Sequence, residues 1–528
     1  MIYLLPQAVD QMAARHPDRE AVRFGRRSLS YGQLAAQSNS LARTLVELGV
    51  KRRDRVGIYQ GKSLEMAVAI YGIMKAGAAY VPIDPASPPS RLEYVVRHCG
   101  IGVVVSQGSR LAQLQQIAAA GAPLRCVVGV SADEPGPVEC LGWDQALAAP
   151  GGAPPDVGLI EQDLAYIMYT SGSTGEPKGI MHTHHSGLSY ARWAASAYGL
   201  HGEDRLTNHA PLHFDLSTFD FFSGALAGAA TVIVAEEVLR FPASYAQLLD
   251  EERISVCFTV PFAMIQLLLR GALDKRNLSS LRWFIFGGEP FPTKHLRDLM
   301  NCLPSTGFSN MYGPAETNGC TYYNVPALGA DANEPVPIGR ACPNVELLIV
   351  DADDQPVPAG EAGELLVRSP TMMQGYWQRP DLNSKAFYRR PVFENYSDYF
   401  YRTGDLVRRA GDGELHFIGR KDRQIKVRGY RVELDEVEVG LLAHEAVEEA
   451  AAFPIANADG ARQVGAAVRL RRGAECSEAE LNAYLKGCLP WYAVPATIAL
   501  AEDFPRTSSG KIDRRALEAA AAGAEQEL

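Results

Sequence analysis

A buried strand that runs directly into a loop of glycines and hydroxyl side chains is the feature that most constrains this chain. The strand ends near Tyr169, and residues 170–179 read Thr-Ser-Gly-Ser-Thr-Gly-Glu-Pro-Lys-Gly. Glycines allow the backbone to turn its N–H groups toward an anion, and the hydroxyls add further donors. Lys178 adds a mobile charge suited to a phosphate group. The loop predicts phosphate binding, with a polar surface turn as the alternative.

This loop is not a Walker A loop, because no lysine directly follows its second glycine at the required spacing. The wider pattern alternates helical and strand periodicity, as in a predicted strand Arg55–Tyr59 and predicted helices at 38–48, 64–75 and 216–227. Such alternation predicts an α/β fold. We expect a large N-terminal domain, residues 1–421, of stacked α/β layers plus a β segment. A small α+β C-terminal lid domain, residues 422–528, follows it.

Composition excludes several classes of function. The 528 residues are 47% hydrophobic and carry a net charge of −10, which disfavours binding to nucleic acid or to an anionic membrane through a basic surface. No apolar run approaches the ~20 residues that span a bilayer, and the N-terminus lacks the pattern of a signal peptide. The nine cysteines are scattered and never form CxxC, as expected for reduced thiols. We expect a soluble, cytoplasmic protein.

The loop resembles the phosphate loop of the adenylate-forming superfamily, which comprises acyl-CoA synthetases, firefly luciferase and the adenylation domains of nonribosomal peptide synthetases. Other segments of the chain resemble further motifs of this superfamily, in the same order along the sequence. The matching segments are 29–34, 75–84, 170–179, 214–217, 310–316, 363–365 with 375–376, 401–406, 419–434, 489–495 and 510–514. The resemblance covers roughly residues 10 to 515. It implies a stand-alone peptide-synthetase adenylation domain that uses ATP and Mg²⁺ to activate an amino acid.

The resemblance assigns the nucleotide and the catalytic residues. The residues that it places around the phosphates are Thr170, Ser171, Gly172, Ser173, Thr174, Gly175 and Lys178. It places Asn310 and Tyr312 at the adenine, Asp405 at the ribose hydroxyls and Arg420 on the ribose–phosphate side. Glu316 would hold the Mg²⁺, a hard ion that prefers oxygen ligands. Lys511 would bridge the substrate carboxylate and a ribose oxygen, and Asp422 would be the hinge for rotation of the small domain.

Asp215 discriminates among the acids that such an enzyme could activate. In family members that activate amino acids, an aspartate at this place pairs with the substrate ammonium group. A desolvated carboxylate without a cation is costly, which explains why acyl branches lack it. The alternative is that Asp215 caps the helix that begins near Leu216.

The resemblance also gives the pocket that would receive the substrate side chain. Its residues are Leu216, Phe219, Thr259, Ile285, Gly287, Met311, Gly319 and Cys320, closed by Asp215 and Lys511. No charged group lines the side-chain half, so an acidic or basic side chain is disfavoured. Gly287 and Gly319 are expected to leave room above an apolar floor of Phe219 and Met311. We expect a neutral, apolar amino acid, either proline-like or a larger aliphatic or aromatic one.

Three neighbouring histidines, His182, His184 and His185, could suggest a metal site. They have no cysteine or carboxylate partner at a diagnostic spacing. We interpret them as the polar start of the helix that follows the phosphate loop.

The sequence also bears on the acceptor of the activated acid and on competing functions. Only 17 residues follow Lys511, which predicts a separate carrier protein with a phosphopantetheine thiol, or coenzyme A, as acceptor. The need for a small activating partner protein stays open. One alternative is an acyl- or aryl-CoA ligase or a D-alanyl carrier ligase. Another is a non-catalytic nucleotide-binding protein, which the presence of Lys511, Glu316 and Asp405 disfavours.

Overall fold

The computed structural model describes residues 1–132, 134–172, 175–456, 462–506, 512–514 and 516–519. Packing divides the chain into two compact units. The first comprises Met1–Pro85, Val96–Tyr169 and Gly179–Lys421, and the second comprises Ala86–Val95, Thr170–Lys178 and Asp422–Leu528. The expected mixture of α/β layers with a smaller α+β part is confirmed.

A nine-stranded sheet carries four of the predicted pocket residues, Thr259, Ile285, Gly287 and Met311. Its strands lie in the order Arg340–Ala341, Thr321–Asn324, Gly307–Tyr312, Trp283–Gly287, Val256–Thr259, Arg205–Asn208, Ala230–Ile233, Glu20–Phe24 and Arg27–Ser30. The central strands are parallel, and the antiparallel pairs are at the two edges. Strands such as Val256–Thr259 are buried at every position, as expected for a parallel sheet covered on both faces.

The chain also forms an eight-stranded sheet and a five-stranded antiparallel sheet. The order in the eight-stranded sheet is Gly375–Tyr376, Lys178–Thr183, Leu164–Thr170, Ala79–Pro82, Arg55–Tyr59, Val103–Ser106, Cys126–Val128 and Glu139–Leu141. The five-stranded sheet contains Glu346–Val350, Ala362–Arg368, Tyr396–Arg409, Phe387–Phe393 and Leu415–Arg420.

Helices connect these strands. Those before residue 200 are Gln7–Arg15, Tyr31–Glu47, Leu64–Lys75, Pro89–Cys99, Leu111–Ala119, Trp143–Ala146 and His184–Ala197. Those that follow are Leu216–Thr218, Gly224–Ala227, Glu236–Leu239, Pro242–Glu251, Pro261–Arg270, Thr293–Cys302 and Pro380–Ala386, with 3₁₀ turns at Gly108–Arg110 and Leu273–Lys275. None of the helices in the described ranges has both the length and the apolar character that a membrane crossing requires.

The second unit contains the hairpin Gln424–Val427 and Tyr430–Glu433, and a three-stranded sheet of Val447–Ala456, Arg462–Leu470 and Thr497–Leu500. Its helices Leu434–Leu442 and Glu478–Lys486 pack on an apolar core of their own. Arg428 and Gly429 join the hairpin strands, and both have positive φ, 52° and 85°. A two-residue turn with positive φ at both positions matches the twist of the strands.

The predicted helix at residues 216–227 is wrong in its interior. The structure has short α-helical segments at Leu216–Thr218 and Gly224–Ala227, and a π-helical turn, Phe219–Ser223, between them. Two hydroxyls from elsewhere in the chain bind carbonyls of this turn: Thr231 binds that of Asp220, and Tyr71 that of Phe221. Periodicity could not indicate these distant donors.

Candidate functional site

Asp215 directly precedes the short helix Leu216–Thr218 but does not cap it with its side chain. Its backbone φ and ψ are −60° and −26°, already helical, so the geometry of a side-chain cap is absent. The half-buried carboxylate acts electrostatically on Tyr166 and Tyr190. Burial raises the pKa of both phenols, and the charge of Asp215 adds to that shift. The alternative role of Asp215 as a helix cap is therefore not adopted.

Four of the predicted pocket residues belong to one apolar cluster. Phe219, Ile285 and Met311 are buried members, and Leu216 packs against them. The Phe219 ring meets Tyr198 and Phe258 edge-on, with ring centroids 6.0 and 5.4 Å apart. Tyr190, on which the charge of Asp215 acts, is also a member of this cluster, and Leu216, the residue after Asp215, packs against it.

The two pocket glycines do not leave the room that the sequence suggested. A Cβ on Gly287 would lie 2.3 Å from the carbonyl oxygen of Met311, because these residues are paired on adjacent parallel strands. A Cβ on Gly319 would lie 3.0 Å from Met311 Sδ and 3.1 Å from Tyr190 Cε2. The space beside both glycines is therefore already filled, largely by Met311.

The last two predicted pocket residues have other neighbours. The hydroxyl of Thr259, at the end of its strand, lies 3.0 Å from His209 Nδ1. Cys320 packs in a different apolar cluster, which includes Leu365 and Val407 and contacts Tyr312. The structure therefore groups Cys320 with the side of the fold that carries the predicted adenine residue.

Asp405 is held by two of the predicted nucleotide residues. Its Oδ2 accepts a hydrogen bond from the Tyr312 hydroxyl at 2.5 Å, and its Oδ1 accepts one from Arg420 Nη1 at 2.5 Å. Arg420 is the register partner of Asp405 on the adjacent strand. Burial, followed by the charge of Asp405, raises the pKa of Tyr312 well above its usual range. A carboxylate has about four lone-pair sites, so this geometry is compatible with two ribose hydroxyls.

Asn310 lies two residues before Tyr312 on the same strand and is buried. Its Nδ2 donates to the carbonyl oxygen of Pro337 at 2.8 Å. An amide nitrogen has two protons. This contact therefore fixes the plane of the amide and leaves a donor and an acceptor suited to an adenine edge.

Glu316 is fully buried, and its Oε1 accepts a hydrogen bond from the hydroxyl of Tyr376 at 2.7 Å. Tyr376 is itself positioned by Asn383, whose Oδ1 accepts from the Tyr376 amide at 2.7 Å. A buried carboxylate with a fixed orientation fits a hard divalent cation, which prefers oxygen ligands. The family resemblance includes Gly375-Tyr376 as a matching pair but gives Tyr376 no role, so the sequence did not indicate this contact.

The phosphate loop is conformationally constrained at Gly172 and Gly175. A Cβ on Gly172 would lie 2.1 Å from the carbonyl oxygen of Glu176, and Gly175 has a φ of +83°. The Ser171 hydroxyl donates to the carbonyl oxygen of Arg431 at 3.0 Å. Thr170 Oγ1 is buried without a hydrogen-bond partner within the described part of the chain. Lys178 begins the strand that follows.

Some predicted residues cannot be placed in this site. Ser173, Thr174 and Lys511 lie outside the described residues. Asp422 is described, and its Oδ1 accepts from the amide of Gln424 at 3.2 Å. Its role as a hinge stays a prediction.

His182 also makes contacts that the sequence did not indicate. Its Nε2 donates to the carbonyl oxygen of Ala315 at 2.9 Å, next to Glu316, and its Nδ1 lies 3.2 Å from the Ser186 hydroxyl. The imidazole stacks on Tyr166 with centroids 4.9 Å apart. Burial lowers the pKa of His182 to about 4. A neutral imidazole therefore supports the segment that carries Glu316, and His184 begins the following helix.

Comparison with known families gives two matches along the chain. The pattern described as AMP-binding enzyme matches residues 9–377, and that of the AMP-binding enzyme C-terminal domain matches residues 436–511. The chain is 38% identical to a linear gramicidin synthase protein of Brevibacillus parabrevis over 97% of its own length, but it spans only 9% of that protein.

A relative of similar length is the L-proline–[L-prolyl-carrier protein] ligase of Pseudomonas fluorescens. It is 34% identical over 97% of this chain and 98% of its own length. Among solved structures, the Vibrio cholerae adenylation domain AlmE in complex with glycyl-adenosine-5′-phosphate aligns with a TM-score of 0.84. At 24% identity, over 99% of this chain and 98% of AlmE, that likeness concerns the fold.

Proposed function

This chain belongs to the AMP-binding enzyme family, and we propose that it activates a neutral, apolar amino acid as its aminoacyl-AMP. It is an ATP-dependent, amino-acid-adenylating ligase. The proposed acceptor is the phosphopantetheine thiol of a separate carrier protein. The carrier-protein ligase from Pseudomonas fluorescens, which matches over nearly its whole length, supports this acceptor.

The place of Asp215 is the observation that carries the amino-acid assignment. Its carboxylate does not cap the helix, its charge acts on the buried phenols of Tyr166 and Tyr190, and Leu216, the next residue, packs against the apolar cluster. In such surroundings a negative charge is stabilised by a nearby cation. The ammonium group of an amino acid supplies that cation, whereas a fatty or aryl acid does not.

The apolar cluster supports a substrate with a neutral side chain. Phe219, Ile285 and Met311 present no charged atom. Because Met311 and Tyr190 already fill the space beside Gly319, the pocket favours the compact end of the predicted range, which includes proline. The relative that acts on L-proline is consistent with this preference.

The first half-reaction assigns a task to each residue. An oxygen of the substrate carboxylate attacks the α-phosphorus, the bond to the β-phosphate oxygen breaks, and pyrophosphate leaves. Asp405 would accept both ribose hydroxyls, and Arg420 would keep that carboxylate ionised and oriented. Glu316 would hold Mg²⁺, which neutralises charge on the phosphates.

In the second half-reaction the carrier thiol attacks the acyl carbon, AMP leaves and the thiol proton is released. By family resemblance, Lys511 would bind the substrate carboxylate in the first half-reaction. Rotation of the small domain at Asp422 would then move Lys511 away from the substrate. The face at residues 426–431 would then replace it.

The test is amino-acid-dependent exchange of pyrophosphate into ATP across a panel of amino acids. We expect exchange with proline or other neutral apolar amino acids, and its loss in Lys511→Ala. Asp215→Asn keeps the volume and removes the charge. It should lower exchange by roughly 30-fold or more, since removing one partner of a buried charge pair costs about 2–5 kcal/mol.

Control substrates separate this proposal from its alternatives. Acids that lack the amine should not support exchange in the wild-type enzyme. If they do, and if Asp215→Asn is as active as wild type, an acyl- or aryl-CoA ligase is favoured. Thioester formed on coenzyme A but not on a holo-carrier protein would overturn the proposed acceptor. Absence of exchange with every amino acid would contradict the activity itself.

A further inference from the structure

The π-helical turn Phe219–Ser223 is held by residues that are distant in sequence. The hydroxyl of Thr231 donates to the carbonyl oxygen of Asp220 at 2.8 Å, and that of Tyr71 donates to Phe221 at 2.8 Å. Short π-helical turns occur frequently at functional sites. This turn begins with Phe219, the apolar floor of the proposed pocket, four residues after Asp215.

Asp220 places a carboxylate inside the protein, at 1% exposure. Its Oδ2 accepts a hydrogen bond from Asn208 Nδ2 at 3.0 Å. Its Oδ1 is buried and has no hydrogen-bond partner among the residues that the structure describes. Burial raises the pKa of Asp220 well above its usual range, and the nearby charge of Lys62 opposes that shift. Such a group costs stability compared with an apolar residue of similar size.

Lys62 extends this hydrogen-bond network toward Thr259, another of the predicted pocket residues. Its Nζ donates to the carbonyl oxygens of Asn208 at 2.8 Å and His209 at 2.6 Å. His209 Nδ1 lies 3.0 Å from the hydroxyl of Thr259. Burial lowers the pKa of Lys62 to about 7 and that of His209 to about 3. A continuous polar chain therefore runs from the π-helical turn to Thr259.

We propose that Asp220 is a positioning residue for the amino-acid pocket. By holding Asn208 and facing Lys62, it fixes the π-helical turn and, through that turn, the place of Phe219. It would thus set which substrate side chains are accepted without contacting the substrate. This inference rests on the proposed function and adds a determinant of specificity that lies outside the predicted pocket residues.

The test compares two buried aspartates that lie near opposite ends of the strand Arg205–Asn208, Asp220 beside Asn208 and Asp204 just before Arg205. Asp220→Asn keeps the shape of the side chain and replaces the titratable carboxyl group, beside the carboxyl end of Arg205–Asn208, by an amide. Asp204→Asn is the matched control, because Asp204 is also 1% exposed, precedes the same strand, and bonds Ser255 and Arg282 at 2.7 Å. The readout is kcat and KM for each amino acid and for ATP in the exchange assay, with thermal unfolding measured alongside.

Asp220→Asn should raise KM for the preferred amino acid and change the kcat/KM ratio of a compact to a large apolar substrate by roughly 10-fold, because small displacements of positioning groups cost one to two orders of magnitude. KM for ATP should stay within about twofold of wild type. Asp204→Asn should lower the unfolding temperature and leave the substrate ratio unchanged.

An unchanged ratio in Asp220→Asn, or an equal change in Asp204→Asn, would overturn the inference. If Asp220→Asn does not fold, Thr231→Val removes only the hydroxyl that binds the Asp220 carbonyl. It should shift the ratio in the same direction, and no shift would equally overturn the inference. Wild-type enzyme without any amino-acid-dependent exchange would instead contradict the proposed function.

Discussion

Tyr312 and Asp405 are 93 residues apart in the chain, and the hydroxyl of the first donates to Oδ2 of the second at 2.5 Å. The other carboxylate oxygen of Asp405, Oδ1, accepts a hydrogen bond from Arg420 Nη1. Tyr312 and Arg420 thus each fix the direction of one oxygen of Asp405, and a carboxylate has about four lone-pair sites in all. The proposed adenine and ribose residues therefore form one connected group.

Asp405→Asn should weaken nucleotide binding more than amino-acid binding. The substitution removes the charged acceptor of the hydrogen bond from Arg420 Nη1. Hydrogen bonds to charged groups contribute about 1.5–3 kcal/mol, so KM for ATP should rise roughly 10- to 100-fold. Asp398→Asn is the control, since Asp398 lies on the same strand and pairs with Arg390 at 2.6 Å. Equal increases in both variants would contradict a ribose role for Asp405.

Tyr376→Phe should raise the Mg²⁺ concentration needed for half-maximal exchange. The variant removes the hydroxyl that orients Glu316 at 2.7 Å. Loss of such a bond costs about 1 kcal/mol, or roughly fivefold. Tyr31→Phe removes another buried hydroxyl, which donates to the carbonyl oxygen of Ala229 at 2.7 Å. It should lower stability without changing the Mg²⁺ dependence, and the same Mg²⁺ response in both variants would refute the assignment.

Gly319→Ala and Gly287→Ala should have different effects. A Cβ at residue 319 meets the flexible end of Met311, which can shift into the pocket. It should lower kcat/KM for large side chains by roughly 10-fold while sparing compact ones. At residue 287 the Cβ meets backbone at 2.3 Å, so that variant should lose about 1–3 kcal/mol of stability.

A substrate panel and urea unfolding, applied to both glycine variants, measure the two effects. Better activity of Gly319→Ala with large substrates would show that the space beside Gly319 is not part of the pocket.

Stability should fall as the pH is lowered from about 6.5 to 4. Burial lowers the pKa of His184 from 6.5 to about 4. In that interval the unfolded chain binds a proton that the folded chain excludes, so acid favours unfolding. For His184 alone the free energy of unfolding should be about 2 kcal/mol lower at pH 5 than at pH 7.5.

Urea unfolding of wild type and His184→Asn at the two pH values checks this prediction. The asparagine can still accept the Leu5 amide that His184 Nδ1 accepts at 3.3 Å, but it does not titrate. The variant should lose about 2 kcal/mol of the pH dependence. The exposed His16→Asn is the control, and an unchanged pH dependence in His184→Asn would contradict the argument.

Local chemistry alone determined much of the secondary structure. The helix Leu64–Lys75 has the predicted bounds, and Ser63 caps it by accepting from the amide of Met66. The helix predicted at 38–48 instead begins at Tyr31, because Ser30 and Gln33 form a capping box. That box is a local pattern in the sequence and could have been recognised.

The sequence by itself also determined the fold class and the family, since the order of the matching segments and the glycine-rich loop are properties of the linear chain. Only the tertiary structure decided what opposes each side chain. In the folded chain, Met311 and Tyr190 occupy the space beside Gly319, and the hydroxyl of Tyr376 donates a hydrogen bond to the Glu316 carboxylate. The segment after Asp215 forms a π-helical turn. Each of these contacts joins residues distant in sequence, and their geometry depends on packing that no local pattern encodes.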